Sequence, residues 1–194
     1  MSTPWQEFRA IYEKCERCDL SKTRRRVVLA RGTIPATVLM IGEAPGPSEN
    51  KIGVPFVGPA GRLLDRIIER AEQNTGKSPS KCFANIVACI PKDADTNKKF
   101  AQPPSSAIKA CSERLLKFVK LCQPRLIVLI GQLSAKYVPL CSENLWELGL
   151  PQIPNRIEII HPAAILRIKV DQSESAKLEI RRAIIIMEEA FGSL

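Results

Sequence analysis

Between Ile41 and Leu64 the chain reads IGEAPGPSENKIGVPFVGPAGRLL: glycine-proline turns, two carboxylates (Glu43 and Glu49) and one phenylalanine, Phe56, with no helical or strand period. The apolar run Thr37 to Ile41 before it has the length and β-branched content of a buried strand. The polar turn therefore begins where a strand ends, the place where α/β proteins bind ligands. Backbone N–H groups of such a turn, together with Glu43, suit an anion or a polarised carbonyl, although Gly and Pro also punctuate ordinary loops. Three further features have chemical potential. His161, the single histidine, follows an apolar run and can donate a hydrogen bond or cap a turn. Asn85 is an amide within an apolar run and needs partners if buried. Cys15 and Cys18 are spaced so that two thiolates converge on one metal centre.

The elements that must position these residues are legible from periodicity. Thr3 and Pro4 predict a helix cap and a first-turn proline, and Trp5, Phe8, Tyr12 and Cys15 recur at helical spacing. A basic run, Lys22, Arg24, Arg25 and Arg26, is either a solvated loop or a set of phosphate contacts. Strand-like Val27 to Leu29 precedes Gly32, buried strands are expected at 37–41 and 83–88, and further apolar strands at 126–130 and 157–160. Leu63, Ile67 and Ala71, with Leu64 and Ile68 beside them, make one apolar stripe on a helix that ends near Gly76. Ser105 or Ser106 can cap a helix whose face carries Ile108, Cys111, Leu115, Phe118 and Cys122, and the last helix shows Ile180, Ile184, Met187 and Phe191. Strands alternating with helices imply a three-layer α/β/α sandwich around a central, mostly parallel four-stranded sheet. Residues 1–194 are expected to form a single domain with the segment at roughly 1–26 packed onto it.

Composition narrows the function classes. The 29 Lys and Arg against 20 Asp and Glu give a net charge of +9, which suits an acidic partner such as nucleic acid without requiring one. The N-terminus lacks the apolar core of a signal peptide, and no apolar run approaches the about 20 residues that span a bilayer. A cytoplasmic, nucleoid or nuclear protein is expected, not a secreted or membrane one. In a reducing compartment seven cysteines are buried apolar residues or metal ligands before they are disulfides. Cys-x-x-Cys with two further cysteines suits zinc and a four-iron cluster about equally.

The run Gly42-Glu43-Ala44-Pro45-Gly46, then Glu49, then Gly53 to Gly58, then Ala60-Gly61-Arg62-Leu63-Leu64, closely resembles the first motif of family 4 uracil-DNA glycosylases, the iron-sulfur branch of that superfamily. His161 to Arg167, reading HPAAILR, resembles the second motif, and Asn85 to Cys89 the strand motif that ends in a cluster cysteine. The resemblance spans residues 15–167 and implies a 4Fe-4S cluster, rather than zinc, on Cys15, Cys18, Cys89 and Cys111. Cys82, Cys122 and Cys141 are left as packing residues. The chain departs from the family at Asn50, where aspartate is usual, and in a longer 90–104 loop without the short arginine-containing pattern. A related branch bonds covalently to its abasic product through a histidine in a similarly lengthened loop, but the single histidine here lies in the other motif.

What the resemblance implies is removal of uracil from DNA, in base-excision repair, by a monomer. Breaking an N-glycosidic bond builds positive charge on the sugar and negative charge on the base, so a donor is needed at the base oxygen and a water or anion near the sugar. His161 is the expected donor and Asn85 the reader of uracil O4 and N3–H, a pairing cytosine does not return; their plainer roles are capping and packing. Glu43 is the nearest group to orient water, or else it anchors the loop, because Ala44 stands where many relatives carry aspartate. Gly42, Glu43, Ala44, Phe56, Asn85 and His161 are expected around the base, with Phe56 stacking on it or serving the core. Gly58, Ala60, Gly61, Pro162, Ala163, Leu166 and Arg167 are expected against DNA, with Leu166 wedging into the vacated stack or facing the core. Lys22, Arg24, Arg167 and Lys169 are expected at phosphates. The alternatives are a catalytically silent DNA-binding relative, an enzyme for another deaminated base, and an unrelated zinc scaffold.

Overall fold

The computed structural model describes residues 2–91, 102–138, 154–168 and 172–194. Most of the 90–104 loop, Cys141 and Lys169 lie outside them. The chain opens with α1 (Pro4–Tyr12), capped as expected: Thr3 Oγ1 accepts from the Gln6 N–H at 3.2 Å, and Gln6 Oε1 accepts from the Thr3 N–H at 2.8 Å. There follow β1 (Arg31–Gly32), β2 (Val38–Gly42), α2 (Pro47–Ile52), α3 (Pro59–Thr75) and β3 (Lys81–Asn85). The second half comprises α4 (Ser105–Cys122), β4 (Leu126–Ile130), α5 (Gln132–Tyr137), β5 (Asn155–Ile159), α6 (Pro162–Ile165) and α7 (Ser173–Gly192).

The sheet has five strands, not four, in the order β1-β3-β2-β4-β5, and all pairs are parallel except β1 with β3. The additional strand is a two-residue edge at Arg31 and Gly32 instead of the run Val27 to Leu29, which contributes one ladder-like bond, Val28 N–H to the Ala88 carbonyl at 2.8 Å. Arg31 secures this edge by a bidentate pair with Asp65 of α3 (2.7 and 3.1 Å) while its guanidinium lies 4.1 Å above the Phe83 ring. β3 is also displaced from the expected 83–88: it starts at Lys81 and ends at Asn85, after which the chain bends through Ile86 to Cys89. Neither Ser105 nor Ser106 caps α4. Pro104 holds that position and no side chain completes it.

Alternation along the central strands explains their near-continuous apolar runs. Leu39, Ile41, Cys82, Ala84, Ile127 and Leu129 point into one buried cluster with α1 and α4. Val38, Met40, Phe83, Leu126, Val128 and Ile130 point into a second cluster with α3, α6 and α7. Both faces of the sheet are therefore covered by helices, the condition under which parallel strands are stable. The helical stripes expected from spacing are those buried: Leu63, Leu64, Ile67, Ile68 and Ala71 on α3, and Ile108, Cys111, Leu115, Phe118 and Cys122 on α4. Cys82 and Cys122 meet in the first cluster as buried thiols, in agreement with a packing role. In α1, Phe8 and Tyr12 join Phe118 of α4, with Phe8 5.5 Å from the Phe118 ring, so the N-terminal segment shares this core.

The junction between the polar loop and α3 is closely packed. Phe56 holds a left-handed backbone at φ 57°, strained for a residue with a side chain. A Cβ at Gly61 would stand 2.0 Å from the Phe56 carbonyl oxygen. Gly61→Ala is expected to push that turn out of place and lower stability by about 1–3 kcal/mol, as overpacked sites do, read as a fall in the thermal unfolding midpoint with an unchanged far-ultraviolet spectrum.

Candidate functional site

Parallel pairing brings the carboxyl ends of β2, β3, β4 and β5 to one edge, and the chemically capable residues sit there. Gly42 pairs with Asn85 in the ladder, and Ile130 with Ile159. Glu43 follows β2 directly and His161 stands two residues beyond β5. A Cβ at Gly42 would lie 2.6 Å from the Phe56 ring edge and 2.7 Å from Asn85 Oδ1, so only glycine lets both side chains close over the end of β2. Gly131, at φ 86°, does the same for β4: a Cβ there would lie 2.9 Å from the His161 Cβ.

These residues border a cleft of about 590 Å³. Glu43, Ala44, Phe56, Asn85 and His161 line it, with Gly58, Ala60, Gly61, Ala163, Leu166 and Arg167 around them. Two of the expected residues stand behind the wall: Gly42 is buried under Phe56 and Asn85, and Pro162 is buried as the first residue of α6. Leu166 is 49% exposed at the end of α6, so it does not face the core. Phe56 joins both alternatives, since its ring packs 5.8 Å from Phe83 and also borders the cleft. Lys22 and Arg24 do not line the cleft; Lys22 pairs with Asp19 on an exposed turn, and Arg24 faces a separate basic groove with Arg9, Arg25 and Arg26.

Sequence reasoning missed the residue that holds the loop. Glu49 is 8% exposed, and its two oxygens accept from the Gly46 N–H (3.1 Å) and the Gly58 N–H (2.8 Å). The anchoring role considered for Glu43 therefore belongs to Glu49, and the signal was available as a glutamate three residues after the start of a helix. Asn50, the departure from aspartate, faces inward: its Oδ1 accepts from the backbone N–H of Arg25 (2.8 Å) and Arg26 (3.3 Å). Pro91 and Gln102 also line the cleft, for which the sequence offers no periodicity or motif.

Electrostatics separate the two titratable groups. Burial raises the Glu43 carboxyl above its ordinary 4.5, and the Arg167 charge opposes that rise. Burial, with repulsion from Arg167, lowers His161 below its ordinary 6.5. His161 Nδ1 accepts from the Ala163 N–H at 3.1 Å, capping α6, so the neutral ring carries its proton on Nε2. Capping and donation are thus compatible in one imidazole.

A second constellation lies beyond the carboxyl end of β3, where the chain runs on from Asn85 to Cys89. Cys15, Cys18, Cys89 and Cys111 line one cavity with Tyr12 and Arg114. Among the described residues no group of three or more His, Cys, Asp or Glu side chains is placed to hold a single metal ion. Burial pushes the Cys89 thiol up to about 12, and the Arg24 charge opposes the rise. Burial likewise raises Cys18, opposed chiefly by a hydrogen bond from the Leu20 backbone and more weakly by Arg24. Tyr12 Oη, Arg24 Nη1, and Arg114 Nε and Nη1 are buried without partners among the described residues. Four thiols beside orphaned cationic donors fit a thiolate-bound group of net negative charge.

Comparison with known proteins gives concordant results. The sequence model described as uracil DNA glycosylase superfamily matches residues 30–184. A type-4 uracil-DNA glycosylase of Pyrobaculum aerophilum is 33% identical over 174 residues, covering 84% of each chain. One from Saccharolobus solfataricus is 36% identical over 64% of this chain and 54% of its own, and one from Archaeoglobus fulgidus is 28% identical over 78% of each. Among the described residues no helix is long and apolar enough to cross a membrane.

The single histidine makes the electrostatics directly measurable. Its nuclear magnetic resonance titration is expected to have a midpoint below 6.5, and Arg167→Gln should move that midpoint upward by removing one of the two causes. Because the folded chain binds the proton less tightly than the unfolded one, His161 contributes stability above 6.5 that is lost as pH falls from 6.5 towards the folded value.

Proposed function

Because this chain belongs to the type-4 branch of the uracil DNA glycosylase superfamily, we propose that it removes uracil from DNA by hydrolysis, leaving an abasic site for base-excision repair. The observation that carries the reading is the meeting of Glu43, Asn85 and His161 on one cleft at the carboxyl edge of the sheet. The proposed enzyme is a single-domain α/β/α monomer, and its substrate is DNA with the uracil turned out of the stack, which costs a few kcal/mol and less at a mispair.

In this mechanism Phe56 offers a face to the extruded base, Ala44 leaves room beside it, and the Asn85 amide donates to O4 and accepts from N3–H. As the bond between sugar C1′ and base N1 breaks, its electron pair passes to the base and charge gathers on O2. The Nε2–H of neutral His161 donates to that oxygen, in a cleft where burial strengthens the bond. Water, oriented by the Glu43 carboxylate, completes the reaction by bonding to C1′ and losing a proton, which solvent returns to the departed base. Gly58, Ala60, Gly61 and Ala163 hold the strand through close backbone approach, Leu166 fills the vacated stack, and Arg167 takes a phosphate. Both titrating groups make acid conditions unfavourable: Glu43 must be ionised and His161 neutral. Activity therefore declines as pH falls through the interval between 4.5 and 6.5, towards which both groups are displaced.

Cys15, Cys18, Cys89 and Cys111 would hold a 4Fe-4S cluster. When bound, it supplies a cross-link between the N-terminal segment, the turn after β3, and α4, and takes no part in bond cleavage.

Two experiments test this reading. A labelled oligonucleotide with one uracil should release free uracil, and Glu43→Ala, Asn85→Ala and His161→Ala should each slow release by about 10²–10⁴-fold. A brown, DNA-binding protein that releases nothing would instead be a silent binder, and release from hypoxanthine duplexes would widen the specificity. Cys89→Ser should lose iron and solubility together, so a soluble, iron-free and fully active variant would refute the cross-linking role.

A further inference from the structure

Arg114 is 2% exposed on α4, three residues after Cys111 and on the same helical face. Its Nη2 donates to the Asn85 carbonyl at 2.6 Å and to the Ile86 carbonyl at 3.1 Å. Its Nε and Nη1 are buried and unpartnered among the described residues, and the side chain lines the cavity shared by the four cysteines. A guanidinium keeps its charge at any physiological pH, and burying a cation without an anion is costly. The two carbonyls offset only part of that cost. The missing partner is an anion on the cysteine side of the residue.

We propose that Arg114 is a positioning residue that couples the metal centre to base recognition: Nε and Nη1 donate to the thiolate-bound cluster, while Nη2 fixes the strand end that carries Asn85. This rests on the reading of the cysteines and of Asn85 given above. Two consequences follow from one side chain. A cation beside the cluster favours the form with the extra electron, so it raises the reduction potential. The planar fork also holds the backbone at Asn85, from which the amide reaches the base. Lysine could replace the charge but not the fork, because one ammonium cannot serve two carbonyls and the cluster together.

The test uses full-length, iron-loaded wild type, Arg114→Gln and Arg114→Lys, with iron content, cluster reduction potential and single-turnover uracil release measured on each. Arg114→Gln is expected to keep its iron, to shift to a more negative potential, and to release uracil about tenfold more slowly with little change in half-saturating DNA concentration, the mark of lost positioning. Arg114→Lys should recover the potential but not the rate. A wild-type potential in Arg114→Gln overturns the proposal. If that variant does not fold, Arg114→Lys decides alone, and release at the wild-type rate overturns it. Iron-free wild-type protein refutes the cluster reading and this inference together. Iron-loaded wild type that releases no uracil refutes the enzymatic reading, while the potentials still decide whether the guanidinium reaches the cluster.

Discussion

Parallel pairing of β2 between β3 and β4 is the constraint on which the rest of the molecule depends. A parallel ladder sets the carboxyl ends of its strands level, so Gly42 and Asn85 are neighbours and the turns after β2 and β5 share one edge. It also requires helices on both faces, which confines the polar residues to that edge. The two glycines at the strand ends follow from the same geometry. Gly42 and Gly131 each stand where a neighbouring side chain has taken the space a Cβ would need.

The apolar cover on both faces explains why the edge residues titrate unusually. Glu43 and His161 sit against a low-dielectric interior, and burial displaces each towards its uncharged form. Arg167, at the rim, pulls against that displacement at Glu43 and reinforces it at His161. One exposed cation thus favours an ionised carboxylate and a neutral imidazole at once, the two protonation states the proposed hydrolysis requires.

Much of this was legible in the residues themselves. Buried strands announced themselves as apolar runs, the α3 and α4 stripes by their spacing, and the Glu43 to Gly61 loop by turn chemistry that fits no regular element. Strand ends were harder. The β1 edge has only two residues, Arg31 and Gly32, with no alternation to read, and it persists through a tertiary ion pair with Asp65. The β3 boundary moved because Ile86 to Cys89 are apolar for the sake of the first core cluster rather than for a ladder. Arg114 was invisible for a related reason. A charged residue on an apolar helical face suggests a surface position, and its burial is apparent only when the Asn85 and Ile86 carbonyls and the cysteine cavity are seen around it.

The Glu49 carboxylate closes the segment from Gly46 to Gly58 into a ring fastened by two backbone N–H groups. A loop tied at both ends has already surrendered most of its conformational entropy during folding. A ligand entering the cleft therefore meets a wall already shaped, and its binding energy is not spent on ordering that wall. Glycine-rich segments are ordinarily the most pliable part of a fold, yet here a single buried carboxylate makes one of them behave as part of the rigid frame.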